Sequence, residues 1–402
     1  MTTSVETYKT IPKTVVILGV VSLFADVSTE MVYPLLPSFL VHEMGATGSV
    51  LGIIEGVAAG LVSFLTVYSG WRSDATNQRV SFIRVGYGLA VWGKVSIAIA
   101  TSSWWIFAGR VIDRIGKGVR TSPRDAMIAS SVSVESRGRA FGFHRSMVSL
   151  GSVIGVAIAW ATLHVYEGYG HSGSVYRSVF FISLLFSFVS VAATLFLVES
   201  DLPTSSTAEN RSFGLKEITE LGHEYWRVVG LFFLFSFANS SDAFILLRLS
   251  NLIGSTTQVV LGYGLYRLIY MVAAYPAGIL SDRFGKWRMI LFGWFIYSIV
   301  YFGFSLNLSA QYYWLLLGLY GLYLALTEAA TASLVVRHVG PHQRGTAIGV
   351  FYFFLGISAV TSNAISGLLV DYVGIEAPFI LGGSVALVAL ITTLVLIRDF
   401  DQ

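Results

Sequence analysis

The chain has 402 residues, 54% of them hydrophobic and only 12% charged, with a formal net charge of +3 and a mean hydropathy of +0.70. Soluble domains carry about 25% charged residues, so this composition excludes a soluble enzyme or a nucleic-acid-binding module and places the chain in a bilayer. The absence of cysteine rules out disulfides, thiolate metal sites and cysteine nucleophiles.

The opening MTTSVETYKTIPK is polar and runs straight into a long apolar stretch. It lacks the basic n-region, short h-region and small-residue cleavage site of a signal peptide, so that stretch is read as a retained helix. Windows of about 20 apolar residues predict twelve helices, at 14–41, 48–71, 80–101, 104–128, 138–163, 177–199, 227–249, 257–281, 287–306, 311–336, 344–371 and 376–398. An even count puts both termini on one side. Lys9, Lys13, Arg72, Arg79, Arg137, Arg139, Arg211, Lys216, Arg283, Lys286, Arg288, Arg337, Arg344 and Arg398 fall in the termini or even-numbered loops, whereas only Arg177 and Arg248 lie near the odd ones. The positive-inside rule then makes the termini cytoplasmic.

Charge inside the spans marks candidate functional groups, because an uncompensated charge near mid-bilayer costs about 2.5–3.5 kcal/mol. The first span carries Asp26 and Glu30 at i, i+4 on one face, and the second carries Glu55. The fourth begins at Trp104 and Trp105, a pair suited to an interface, and continues through Arg110, Asp113, Arg114, Lys117, Arg120, Arg124 and Asp125. Positions 110, 113, 117, 120 and 124 follow helical spacing and form one stripe, which must face partners or water. Asp26, Glu30 and Glu55 are the acids available to offset it. Arg110, Asp113, Arg114 and Lys117 are assigned to substrate or coupling-ion handling; Arg120, Arg124 and Asp125 also fit a permanent ion-pair network, a gate or a headgroup contact. His144, beside Arg145, is the histidine placed nearest this region.

Residues 200–226 form the longest polar link and divide the chain into 1–199 and 227–402. Within the link, Ile218, Leu221 and Tyr225 recur at helical spacing beside Lys216, Glu217, Glu220 and Glu224, the pattern of an amphipathic surface helix; a linker without structure is the alternative. Beyond it the charge is sparser: Asp242 and Arg248 on the seventh span, Arg267 on the eighth and Glu328 on the tenth. Glu328 sits among small apolar residues (TEAATAS), where burial disfavours a charged carboxyl. It is the candidate proton carrier, with a permanent pair to Arg267 or another base as the alternative.

Two motifs occur twice. Residues 70–79 read GWRSDATNQR and 278–288 read GILSDRFGKWR, placing Asp74 and Asp282 208 positions apart; residues 137–142 (RGRAFG) and 344–349 (RGTAIG) repeat at a separation of 207. Two matches at nearly one offset indicate a duplicated half, the mark of a transporter that rocks one half against the other. In these turns Gly70 and Gly278 allow close helix approach, Asp74 and Asp282 are placed to cap the next helix, and Asn77 or Gly285 supplies a left-handed residue. Tyr33, Tyr263, Tyr266, Tyr270, Tyr320 and Tyr323 are possible cavity aromatics, most aromatics being packing or interfacial residues. No P-loop, HExxH or Ser-His-Asp pattern is present, and the histidines are scattered, so neither enzyme chemistry, metal nor cofactor is expected.

These motifs resemble the major facilitator superfamily over essentially the whole chain. Gly278, Asp282, Arg283, Gly285 and Lys286 match its G-x-x-x-D-R-x-G-[RK]-[RK] loop nearly fully; Gly70, Asp74 and Arg79 match it more loosely. Arg110 is similar in position to the family's fourth-helix Arg, which is linked with proton transfer. DVSTEMVYPLLPSFL, DRIGKGVRTSPRDAMIAS, GRAFGFHR and SSDAF resemble a subgroup of bacterial efflux-type carriers. The chain departs from the fifth-helix antiporter motif, with Val156 after Gly155 in place of Pro, and has Val148 where an acid is usual. The resemblance implies an all-α membrane protein of twelve transmembrane helices in two pseudo-symmetric six-helix bundles, a monomer of a bacterial inner membrane. It further implies a cavity lined by helices 1, 4, 7 and 10, and proton-coupled export of a small drug-like or anionic solute. Symport uptake of an organic anion, or a non-transporting receptor that keeps the fold, are the alternatives.

Overall fold

A computed structural model describes residues 11–133, 136–167, 172–199, 221–335, 339 and 344–397. The described residues form twelve spans. They are α1 (Lys13–Glu43), α2 (Gly48–Thr76), α3 (Arg79–Ala98), α4 (Ser103–Ser130), α5 (Arg137–Glu167) and α6 (Ser172–Thr194). The series continues with α7 in two pieces (His223–Ser236 and Asp242–Ile253), α8 (Thr256–Phe284), α9 (Lys286–Ser305), α10 (Ala310–Val335), α11 (Arg344–Tyr372) and α12 (Ala377–Ile397). Among the described residues, eight stretches are long and apolar enough to cross a membrane on those grounds alone, in α1, α2, α5, α6, α8, α9, α11 and α12. Of the remaining spans, α3 and α4 are diluted by their charges and α7 is split into two short pieces. The outer shell is apolar, with Phe64, Trp92, Leu185, Val272, Leu315 and Val395 all exposed, as a lipid-facing surface requires.

Eleven spans begin and end within a few residues of the sequence prediction. The seventh does not, because the helix expected over 227–249 is interrupted at 237–241. Asn239, Ser240 and Ser241 compete for backbone hydrogen bonds and favour caps over helix interiors. Neighbouring helices satisfy the freed groups: Tyr297 Oη donates to the Ala238 carbonyl at 2.7 Å, Ser362 Oγ to the Phe237 carbonyl at 3.1 Å, and the Ser241 N–H donates to Asn363 Oδ1 at 2.8 Å. Non-helical backbone at membrane depth needs such partners. The amphipathic helix expected in the 200–226 link lies largely outside the described residues; Tyr225 belongs to the first piece of α7.

Cross-half packing concentrates at the end opposite the termini. There α2 lies along α11, with Gly48, Gly52, Gly56 and Gly60 presenting one bare face to residues 360–370. A Cβ on Gly52 would come within 2.2 Å of the Asn363 carbonyl oxygen, so only glycine permits this approach. Asp371 of α11 caps α2, accepting the Gly48 N–H at 2.6 Å and the Ser49 N–H at 2.8 Å. His42 Nε2 bonds Asn251 Oδ1 at 2.9 Å, and Tyr176 Oη bonds Thr256 Oγ1 at 2.9 Å. Toward the termini α2 and α11 part, leaving an apolar groove of about 600 Å³ between Phe64, Trp71 and Phe353.

The repeated turns adopt the expected backbone, Asn77 at φ 51° and Gly285 at φ 94°, but their aspartates do not cap. The cap of α3 is Glu199, whose carboxylate accepts the N–H groups of Arg79 at 2.8 Å and Val80 at 2.9 Å. Asp74 instead holds the Arg79 guanidinium at 2.8 Å, and among the described residues no side chain caps the start of α9 beyond Asp282. Gly70 does bring α2 against Ser122 of α4, whereas Gly278 faces open space. Arg283 stacks on Phe284 with its guanidinium 5.6 Å from the ring centre, and Lys286 opens α9.

Candidate functional site

Parting of the halves toward the termini leaves a polar cavity between them. Its mouth, about 560 Å³, is lined by Asp26, Lys117, Arg124, Arg145, Arg267 and Glu328, among others. A deeper lobe of about 440 Å³ adds Tyr33, Glu55, Arg114, Ser241 and Asn363. The two lobes share Asp26, Glu30, Lys117, Asp242 and Arg267.

The charged stripe of α4 splits along its length. Arg110 and Asp113 are buried inside the first half. Arg110 Nη2 lies 2.5 Å from Glu55 Oε1, with both side chains under a tenth exposed, and its guanidinium packs 5.4 Å from the centre of the Tyr33 ring. Asp113 lies 3.5 Å from Lys94 Nζ of α3 and 3.7 Å from Arg114 Nε. Arg110 Nε, Asp113 Oδ1 and Arg114 Nε are buried with no hydrogen-bond partner among the described residues; of the three residues, Arg114 lines the deep lobe. Farther along, Lys117 and Arg124 line the mouth; Arg124 binds Asp125 at 2.8 Å, and Arg120 stacks over the Tyr87 ring at 4.3 Å.

The expected acids take different partners. Glu55 belongs to Arg110 and also accepts the Ser241 hydroxyl at 2.9 Å, so the α7 break is tied to the buried pair. Glu30 turns to the other half, where Arg267 Nη2 lies 3.3 Å away and the Tyr263 hydroxyl donates to it. Asp242 accepts from Tyr266 at 2.7 Å and Tyr320 at 2.6 Å. Asp26 and Lys117 have no ion-pair partner among the described residues, and both line the two lobes. His144 lines the mouth, its Nε2 2.8 Å from Ser22 Oγ.

Glu328 departs most from expectation. Its side chain is 52% exposed to the cavity and meets Arg145 of α5 at 2.5 Å, with the Tyr270 hydroxyl donating to the same carboxylate. Its described neighbours Thr327 and Ala330 are buried while Glu328 itself faces the cavity, so local sequence misjudged its burial. Its base is Arg145, because Arg267 is taken by Glu30. Sequence reasoning gave no role to Lys94, although it is a lone charge in the apolar run VWGKVSIA, and it passed over Arg145 at the entrance of its span. Ser241 and Asn363 carried no sequence signal, since their function depends on the break in α7.

A pseudo-twofold relation connects the halves at the site. Tyr33 and Ser241, 208 positions apart, bond to one another at 3.2 Å. Shifted by the same offset, Glu55 corresponds to Tyr263, and the Tyr263 ring packs 5.8 Å from that of Tyr33.

The family model described as Major Facilitator Superfamily matches residues 18–361 and again 244–401. The chain belongs to the major facilitator superfamily. It is 26% identical over 390 residues to an uncharacterized MFS-type transporter of Methanocaldococcus jannaschii, covering 96% of this chain and 95% of that one. It is 22% identical over 375 residues to the multidrug resistance protein MdtH of Photorhabdus laumondii, covering 92% and 90%. A shorter match, 32% over 134 residues, spans 33% of this chain and 25% of a tetracenomycin C resistance and export protein of Streptomyces glaucescens. Among solved structures, the nucleoside transporter NupG superposes with a TM-score of 0.79 at 13% identity, covering 95% of this chain and 99% of that one. A D-xylose-proton symporter superposes at 0.74 and 14%, covering 94% and 96%. The fold is thus the twelve-helix superfamily fold, and the protein is a multi-pass membrane transporter.

Proposed function

We propose that this superfamily transporter exports a small organic anion in exchange for protons, from a bacterial cytoplasm, as a monomer whose bundles 1–199 and 227–402 rock about the central cavity. The observation that carries the reading is the ammonium of Lys117, which lines both lobes with no ion-pair partner within the salt-bridge distance among the described residues. A cation held ready in the open cavity beside Arg114 and Arg124 attracts an anionic group. Glu328 supplies the coupling: its carboxylate bridges the halves through Arg145, and protonation removes the charge that holds the bridge. Gly70, Asp74 and Arg79, with Gly278, Asp282, Arg283, Gly285 and Lys286, serve as the turns that re-pack as the halves move. The names of the multidrug-resistance and export relatives favour the outward direction.

Flux of a panel of organic anions into and out of proteoliposomes under an imposed pH gradient tests this. Export requires accumulation on the side from which protons leave. Movement of anions together with protons would instead establish symport uptake, the reading favoured by the basic residues of α4; no coupled flux of any panel member would leave a receptor.

A further inference from the structure

A second cavity, about 450 Å³, opens between α5 and α8 and is lined by Ser152, Val153, Ala157, Trp160, Leu261 and Arg267, with Trp314 of α10 at its far end. Except at Arg267 and Ser152 its walls are apolar, and Val153, Leu261 and Leu268 are exposed on the lipid side. Ser152, Val153 and Arg267 also line the mouth of the central cavity. One guanidinium therefore stands where a polar chamber joins an apolar groove. Arg267 directs Nε to Tyr263 and Nη2 to Tyr263 and Glu30, while Nη1 has no partner among the described residues and is the donor left for a ligand.

We propose that the groove holds the apolar tail of the transported solute while its anionic head sits at Arg267, so that the substrate class is a singly anionic amphiphile. This rests on the organic-anion reading above and narrows it. A neutral hydrocarbon would leave the Nη1 donor unmatched, and a compact polyanion would leave the groove empty; an anionic head with one alkyl tail satisfies both. From Arg267 to Leu261 the groove runs about 9 Å along α8. An extended alkyl chain, advancing about 1.3 Å per carbon, fills that length with about seven carbons.

The test uses n-alkanesulfonates from ethane- to decanesulfonate, which keep their charge and do not cross the bilayer as neutral acids, in pH-gradient-driven proteoliposome flux. Wild type is compared with Ala157→Trp and, separately, Leu261→Trp, each of which fills the groove without touching Lys117, Arg145 or Glu328. The ratio of wild type to variant is read in the same membrane, so partitioning of the probe into lipid cancels. Each buried methylene contributes about three- to fourfold in apparent affinity. The ratio is therefore expected near one for ethanesulfonate, rising at least tenfold by octanesulfonate and levelling beyond it. A ratio that does not change with chain length overturns the amphiphile inference and leaves organic-anion transport standing. Absence of flux for every member, ethanesulfonate included, removes both.

Discussion

Replacing Glu55 by Gln keeps an acceptor for the Ser241 hydroxyl and removes only the charge opposite Arg110. Arg110 and Glu55 are 5% and 7% exposed, and Arg110 Nε already lacks a partner among the described residues, so the remaining cation is buried with no second carboxylate paired to it among the described residues. Breaking a buried pair from one side costs about 3–5 kcal/mol, and the same loss is expected for Arg110→Gln. The double variant should cost less than the sum, with a coupling energy of about 2–3 kcal/mol. Asp26 offers the contrast: it sits one turn from Glu30 but makes no close ion pair with the stripe. The cycle of Asp26→Asn with Arg110→Gln should therefore be additive within about 0.5 kcal/mol. Both cycles can be measured by SDS-titrated unfolding in mixed micelles, followed by tryptophan fluorescence. Additivity in the Glu55 cycle, or a coupling in the Asp26 cycle equal to it, would refute the assignment of the pair.

Three further outcomes follow from single contacts. Asp371→Ala removes the cap that α11 supplies to α2; losing about 0.5–2 kcal/mol of capping should open the far end about two- to thirtyfold more often. Spin labels on cysteines introduced at Glu43 and Val373, in a chain with no native cysteine, report that population, and an unchanged distance distribution contradicts the latch. Glu199→Ala should destabilise the protein by about 1 kcal/mol through the lost cap of α3, more than Asp74→Ala, whose pair is on the surface with Asp74 59% exposed; the reverse order in the same unfolding assay would show that the aspartate carries the turn. Glu328→Gln should preserve substrate exchange while abolishing accumulation driven by a pH gradient. Undiminished accumulation would make the Arg145 bridge purely structural and shift the coupling role to Asp26, Glu30 or Asp113.

What the sequence determined is what local chemistry determines. Apolar run length set the spans, since a helix must cover the bilayer whatever its neighbours, and Asn77 and Gly285 announced the turns whose positive φ they supply. Spacing along α4 showed that its charges share a face, and one repeat offset revealed the duplicated half. The glycines of GSVLGIIEGVAAG, four residues apart, were equally legible as a close-packing face, although only the seam with α11 shows what they approach. Tertiary structure decided every pairing. Asp26 and Glu55 are equivalent candidates for Arg110 until helix rotation brings one within 2.5 Å, and Glu30 finds its base 237 residues away in the other half. The break at 237–241 depends on acceptors and donors brought by α9 and α11, and the exposure of Glu328 depends on a cavity that exists only because the halves part at one end. Helical periodicity fixes which residues share a face, but the direction that face points is set by packing between helices, which no local window contains.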